Sequence, residues 1–360
     1  MAAGRRLPQR EAASVTATEV CLAYHRFAEG YYVNAQGKPT GALDRVKAVL
    51  KILRGMYGRT PAADFGPLAL QAIQGRLAAE GKSRSYVNDV AGGIKRVFKW
   101  AVAQQLVPPA IHQALTAVPG LRRGRTAARE TAPIGPVADA VVESTLPHLP
   151  PIVADMARLQ RLTGCRPTEV CILRPMDLDR SGDVWTYRPA HHKTEHHGRD
   201  RIIFIGPKAQ GILLPYLLRA ADAYCFSPAE TVAKWQAEKR SRRQTRVQPS
   251  QRDRSKRKPK RKPRDHYTQD SYRRAITRGV LLANRALRKQ AAKDGRQVDD
   301  AALVPQWHPN QLRHSAATEI RSKFGLEATQ VILGHARADV TQVYAERDLA
   351  KGAAVALAVG

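Results

Sequence analysis

The sequence predicts a mainly α fold with a small antiparallel β-sheet, in which an all-α N-terminal domain precedes an α+β C-terminal domain. Three observations carry this expectation. Helical periodicity runs through residues 14–118 with no strand text between. Only two β-rich stretches, "DVWTYRP" and "RIIFIG", occur in the remaining chain. Between the two regions, residues 119–136 ("PGLRRGRTAARETAPIGP") mix Gly, Pro and Arg with no apolar period, which marks a linker. A length of 360 residues exceeds one average domain, and 43% apolar residues is enough for packed cores.

In chain order, residues 1–13 precede the first helical text and are expected to be disordered. The helices "SVTATEVCLAYHRFAEGYY", "ALDRVKAVLKILRGMYG", "LALQAIQGRLAAEG" and "RSYVNDVAGGIKRVFKWAVAQQLV" fill 14–118, several opening on a Ser, Thr or Asp cap. In the last of them Tyr86, Val90, Ile94, Val97, Phe98 and Ala101 recur at helical spacing. Arg84, Lys95, Arg96 and Lys99 surround that stripe, either as a solvated basic face or as a face that contacts phosphates. The second domain is placed at 137–350 and begins with helical text to about 173. The two β-rich stretches then flank "AHHKTEHHGRD" as a hairpin with a long tip. Helices resume with "PKAQGILLPYLLRAADA" and continue with "YTQDSYRRAITRGVLLANRAL", "NQLRHSAATEIRSKFG" and "LEATQVILGH", and residues 351–360 form a tail. Within this domain, residues 239–264 hold fourteen basic residues and one acid with almost nothing apolar, so a disordered insertion is expected. It is either a surface insertion without a specific role or an arm that grips DNA.

Sixty Lys and Arg against thirty-one Asp and Glu leave a formal charge of +29, far beyond what solubility needs. Nucleic acid is the first partner this implies, and an anionic membrane surface the second. An anionic membrane is disfavoured, because neither a long apolar run nor a basic amphipathic helix at a terminus is present. The first twenty residues lack the apolar core of a signal peptide, and the four cysteines have no C-x-x-C spacing, so a reducing, cytoplasmic setting on DNA is expected.

Breaking a DNA strand without water or metal requires a nucleophile, positive groups on the non-bridging oxygens and an acid for the leaving group. In "LTGCRPTEVCIL", Arg166 sits where a helix breaks at Pro167, with Glu169 three residues on to hold its guanidinium; a surface ion pair would read the same. "HPNQLRHSAATEI" places Arg313 early in a helix of small apolar turns, where backbone N–H groups favour anions. His335 in "LGH" reads alone as a capping histidine, and Tyr344 in "TQVYAE" as a packing residue. Four histidines, His191, His192, His196 and His197, flank Lys193, but no Cys or clustered carboxylate joins them, so lining DNA or positioning the lysine is favoured over holding a metal.

Taken together, R-x-x-E, K-T in a hairpin, L-R-H near "AAT", L-G-H and V-Y, in that order over about 180 residues, resemble a tyrosine recombinase of the phage integrase family. The resemblance covers most of residues 15–350 and is strongest from 160 onward. It implies a helical core-binding domain that clamps DNA and an integrase-type catalytic domain, which together encircle the duplex. Arg166 and Arg313 resemble the two arginines that clamp the scissile phosphate, Lys193 the lysine that protonates the departing 5′ hydroxyl, His335 the histidine that hydrogen-bonds the phosphate, and Tyr344 the nucleophile. The implied activity is strand cleavage and religation through a 3′-phosphotyrosyl link, without metal, ATP or other cofactor, by a tetramer on paired sites, with DNA-bending accessory proteins as further partners.

One position departs from the family pattern. Where a histidine usually stands three residues before the second arginine, this chain has Asn310, with His308 two residues upstream. Asn cannot serve as a general base but can hydrogen-bond a phosphate oxygen. Two rivals compete with the recombinase reading: a type IB topoisomerase that relaxes supercoils by similar chemistry, and a non-catalytic DNA-binding regulator that uses the C-terminal helices as a helix-turn-helix.

Overall fold

The computed structural model describes residues 15–34, 37–191, 200–249 and 264–334. The chain divides into two compact units, Met1–Pro133 and Ile134–Gly360.

The first unit is built from α1 (Ala17–Tyr31), α2 (Gly41–Tyr57), α3 (Pro67–Ala79), α4 (Arg84–Ala103) and α5 (Pro109–Thr116). Thr16 opens α1 with a capping box: Glu19 N donates to its side-chain oxygen, and the Glu19 carboxylate accepts from the Thr16 backbone N–H. Ser83 caps α4 by accepting from Tyr86 N at 3.3 Å. The core lies where Val20, Tyr24 and Ala28 of α1 and Leu43, Leu50 and Leu53 of α2 meet the stripe Val87, Val90, Ile94, Val97, Phe98 and Ala101 of α4. Val87 takes the first place in that stripe, whereas Tyr86 is 38% exposed. Phe65 stacks on Phe98 with centroids 4.9 Å apart and an interplanar angle of 13°.

Residues 119–130 form no helix or strand of the sheet; they pass through a turn and bends over 123–128 and are fastened to α3 and α4. Asn88 Nδ2 donates to Leu121 O and its Oδ1 accepts from Leu121 N, Gln74 donates to Pro119 O, and Arg84 pairs with Glu130.

The second unit opens with α6 (Asp139–Thr145), α7 (Pro151–Thr163) and α8 (Pro167–Cys171). A three-stranded antiparallel sheet follows, in the order β1 (Leu178–Asp179), β2 (Trp185–Tyr187), β3 (Ile203–Ile205). The β2–β3 register, Trp185 with Ile205 and Tyr187 with Ile203, matches the predicted hairpin; β1 is an additional strand. The tip residues 192–199 lie outside the described residues. Then come α9 (Pro207–Leu213), α10 (Pro228–Ser241), α11 (Gln269–Lys293) and α12 (Pro309–Leu333). Helix α9 stops short of its predicted length because Pro215 follows; the chain tightens into a 3₁₀ turn over Leu214–Tyr216. Helix α10 reaches into the segment expected to lack structure, whose residues 250–263 are not among those described.

Helix α7 runs through the core, with Ile152, Val153, Met156, Ala157 and Leu159 all buried against Tyr272, Ile276 and Val280 of α11, Leu312 of α12 and the inward Ile203 and Ile205 of β3. Helix α12 breaks at Gly325, whose φ of 86° and ψ of −179° are open only to glycine. This break separates the two helices expected from the sequence.

Candidate active site

Three of the predicted site residues, Arg166, Glu169 and Arg313, converge on the turn between α7 and α8. Helix α7 ends at Gly164, which has φ of 64°, and Arg166 then takes an extended conformation as the N-cap of α8. Pro167 at the first helical position fixes the chain direction. One turn later, the Glu169 carboxylate reaches back: its Oε2 accepts from Arg166 N at 2.7 Å and its Oε1 from Arg166 Nη1 at 2.7 Å. This is no surface ion pair, since Glu169 is 0% exposed.

A third residue completes the cluster, and the sequence reading missed it. Arg201, 4% exposed, donates through Nε to Glu169 Oε1 at 3.2 Å and through Nη2 to Oε2 at 3.4 Å. Its Nη1 donates to Ile332 O at 3.3 Å, on the last turn of α12. Burial alone would push the Glu169 carboxyl up, but the Arg201 and Arg166 guanidiniums and the hydrogen bonds from Arg166 outweigh it and hold the carboxyl below its ordinary value. Glu169 is therefore ionised at neutral pH.

Arg313 comes from α12 and is 0% exposed. Its Nη1 donates to Gly164 O at 2.6 Å and its Nη2 to Leu333 O at 2.8 Å. The second predicted arginine is thereby tied to a carbonyl only two residues from the first. Gln160 reinforces the joint by donating to both Cys165 O and Pro309 O. Buried Cys165 sits among these groups: burial, then Glu169, push its thiol up to about 12, while Arg201 and Arg313 act in the opposite direction. It is inert as a nucleophile.

Two buried arginines thus clasp the C-terminal carbonyls of α12, Ile332 by Arg201 and Leu333 by Arg313. Gly334 caps the helix in the left-handed conformation, with φ of 61°. His335, the next residue in sequence, lies outside the described residues, as do Tyr344 and Lys193.

Asn310 is half-buried in the first turn of α12, and its Nδ2 stands 3.5 Å from His314 Nε2. His308 is the N-cap of α12; burial and then the nearby Arg273 lower its pKa below the ordinary 6.5, so it is neutral at physiological pH.

The four basic residues predicted on α4 divide into two pairs. Arg84 bonds Glu130 at 2.6 Å, and Lys95 donates its ammonium to Val118 O, so both are used inside the first unit. Arg96 and Lys99 are exposed.

Among the described residues no group of three or more His, Cys, Asp or Glu stands close enough to hold a metal. Nor is any described helix long and apolar enough to cross a membrane.

Residues 152–350, more than half the chain, match the model of the phage integrase family. The chain belongs to the phage integrase family. Tyrosine recombinase XerC of Chromohalobacter salexigens is 40% identical over 72 residues, 20% of this chain and 23% of that protein. XerC of Shewanella putrefaciens is 39% identical over 72 residues, with the same coverage. The match spans less than a quarter of these relatives' length. Among solved structures, a lambda integrase dimer bound to a COC′ core site is similar, with a TM-score of 0.61 and 14% identity over 92% of this chain and 78% of that one. The Tn1549 transposon integrase (residues 82–397) in complex with circular intermediate DNA gives a TM-score of 0.58 at 16% identity over 96% and 99%. At this identity these neighbours establish the integrase fold.

Proposed function

We propose that this phage integrase family member is an enzyme that cleaves and rejoins duplex DNA through a 3′-phosphotyrosyl intermediate. The observation that carries the proposal is the joint of Arg166 and Arg313 about the Gly164–Arg166 turn, locked by buried Glu169. Arg166, held by Glu169 with its side chain 17% exposed, is a preorganised fork for a phosphate oxygen, whereas Arg313 is buried and must release Gly164 O or Leu333 O to reach the same phosphate. In the proposed step the Tyr344 oxygen attacks the scissile phosphorus, a bond forms between them, and the bond from phosphorus to the 5′ oxygen breaks. Lys193 donates the proton that the departing 5′ oxygen takes up. Solvent, or neutral His308, accepts the phenol proton, because Asn310 cannot. The reverse attack by the 5′ hydroxyl reseals the strand, and the stored ester makes a nucleotide cofactor unnecessary.

The family model and the integrase neighbours support this reading over both the topoisomerase and the regulator. Another neighbour is a lambda integrase tetramer bound to a Holliday junction, which supports a tetramer on paired sites here. Tyr344→Phe tests the chemistry. On a nicked duplex the parent chain should accumulate a covalent protein–DNA adduct stable to denaturant, and the variant should form none while binding DNA equally. An adduct that survives the substitution would overturn the assignment of Tyr344, and a parent chain that never forms one would favour the regulator.

A further inference from the structure

Helix α10 contributes none of its residues to a core; Trp235 is 56% exposed and carries Lys239 Nζ 5.1 Å from its ring centroid. Residues 228–249 present six exposed cations, Lys234, Lys239, Arg240, Arg242, Arg243 and Arg246, against two acids. Both acids are occupied, Glu230 by Arg219 and Glu238 by Arg242. Residues 250–264 add nine more Lys and Arg and one acid. A helix of this length without packing is marginal in water, so the second unit gains little stability by keeping it.

The segment enters and leaves the second unit through one closed stem. Thr231 Oγ1 and Tyr267 Oη are 2.7 Å apart, the Tyr224 and His266 rings lie 4.4 Å apart, and Tyr267 is buried. Residues 232–246 are all exposed, so they can change without disturbing the core.

We propose that α10 and the cations that follow it as far as Arg246 form a second nucleic-acid surface, distinct from the strand-cleaving site, that holds duplex DNA through its phosphates without reading sequence. The proposal rests on DNA being this protein's substrate. Charge complementarity identifies the occupant. A lipid surface fits less well, because α10 offers only Val232 and Trp235 as exposed large apolar residues and has no apolar face to insert.

The test is a chain carrying K234Q, K239Q, R240Q, R243Q and R246Q, titrated against an arbitrary duplex of about 30 bp between about 50 and 200 mM NaCl. Its log K against log salt slope should be shallower than the parent's by about 3 to 4, so that the affinity advantage of the parent shrinks about a hundredfold across that range, at an unchanged melting temperature. In the parent chain, duplex should also protect Lys234 and Lys239 from amine acetylation. An unchanged slope, or acetylation indifferent to duplex, overturns the proposal. Binding to phosphatidylserine vesicles that is tighter than to duplex and lost in the variant would assign the surface to membrane instead. Adduct formation on nicked duplex is scored separately: cations that set the slope in a chain that forms no adduct would sustain this surface and sink the cleavage reading.

Discussion

Substituting Glu169→Gln keeps the shape of the side chain and removes its charge. The change falls on a carboxylate whose side chain is 1% exposed, between Arg201 at 2% and Arg166 at 17%, so solvent can compensate little of it. Removing one member of a buried ion pair while its partners stay typically costs about 3–5 kcal/mol. For a unit of this size that corresponds to a melting temperature lower by about 10 °C. The linkage has a definite sign. Because the folded pKa is held below the ordinary 4.5, the stability Glu169 contributes is fully present above that value and is lost as pH falls through the depressed folded pKa. Melting curves for parent and variant should therefore lie far apart at neutral pH and converge in acid as pH falls from 4.5 through the depressed folded pKa. A second readout separates stability from positioning: DNA-adduct formation by the variant, measured well below its melting temperature, should fall because glutamine keeps one acceptor oxygen and Arg166 loses its charge partner and one of its two hydrogen bonds. Coincident melting curves at pH 7, with adduct formation intact, would refute the claim that this carboxylate organises the site.

Gly334→Ala should lower stability by about 1–3 kcal/mol, because the left-handed backbone at φ of 61° disfavours a side chain and the added methyl group would press on the Arg201 guanidinium; thermal melting measures it, and the further cost of Gly334→Ala in an Arg201→Ala background should be smaller than in the parent. Arg96→Gln with Lys99→Gln should reduce the salt dependence of duplex binding and leave the melting temperature unchanged. Arg84→Gln should do the reverse, since its guanidinium is already held by Glu130.

The helices of both units were legible because their burial repeats within single turns, as in Val90, Ile94, Val97 and Ala101 of α4. Arg166, Glu169 and Arg313 were legible for a different reason: the first two are bonded at i and i+3, and the third stands in a short motif. The long-range partners were hidden. Arg201 meets its carboxylate 32 residues away and its carbonyl on α12 131 residues away, separations that no local window spans. Arg84 and Lys95 read as free cations because Glu130 and Val118 O come from text that scans as a linker or its edge. Helix α10 escaped notice because it buries nothing, and an apolar period is what reveals a helix in sequence. Arg201 nevertheless left one trace. It falls two and four residues before Ile203 and Ile205, both 1% exposed, whereas Phe204 between them is 37% exposed. A strand alternates its faces with period two, so a guanidinium in phase with the buried isoleucines must be carried inward. A cation carried inward demands an acid. Six acids lie between the first predicted arginine and that strand; Asp177 is taken by Arg174, and Glu169 is the one that Arg201 reaches. In this family member, then, a charge on the apolar parity of a strand is a sequence-level sign of the network that positions the first arginine, readable before any coordinates.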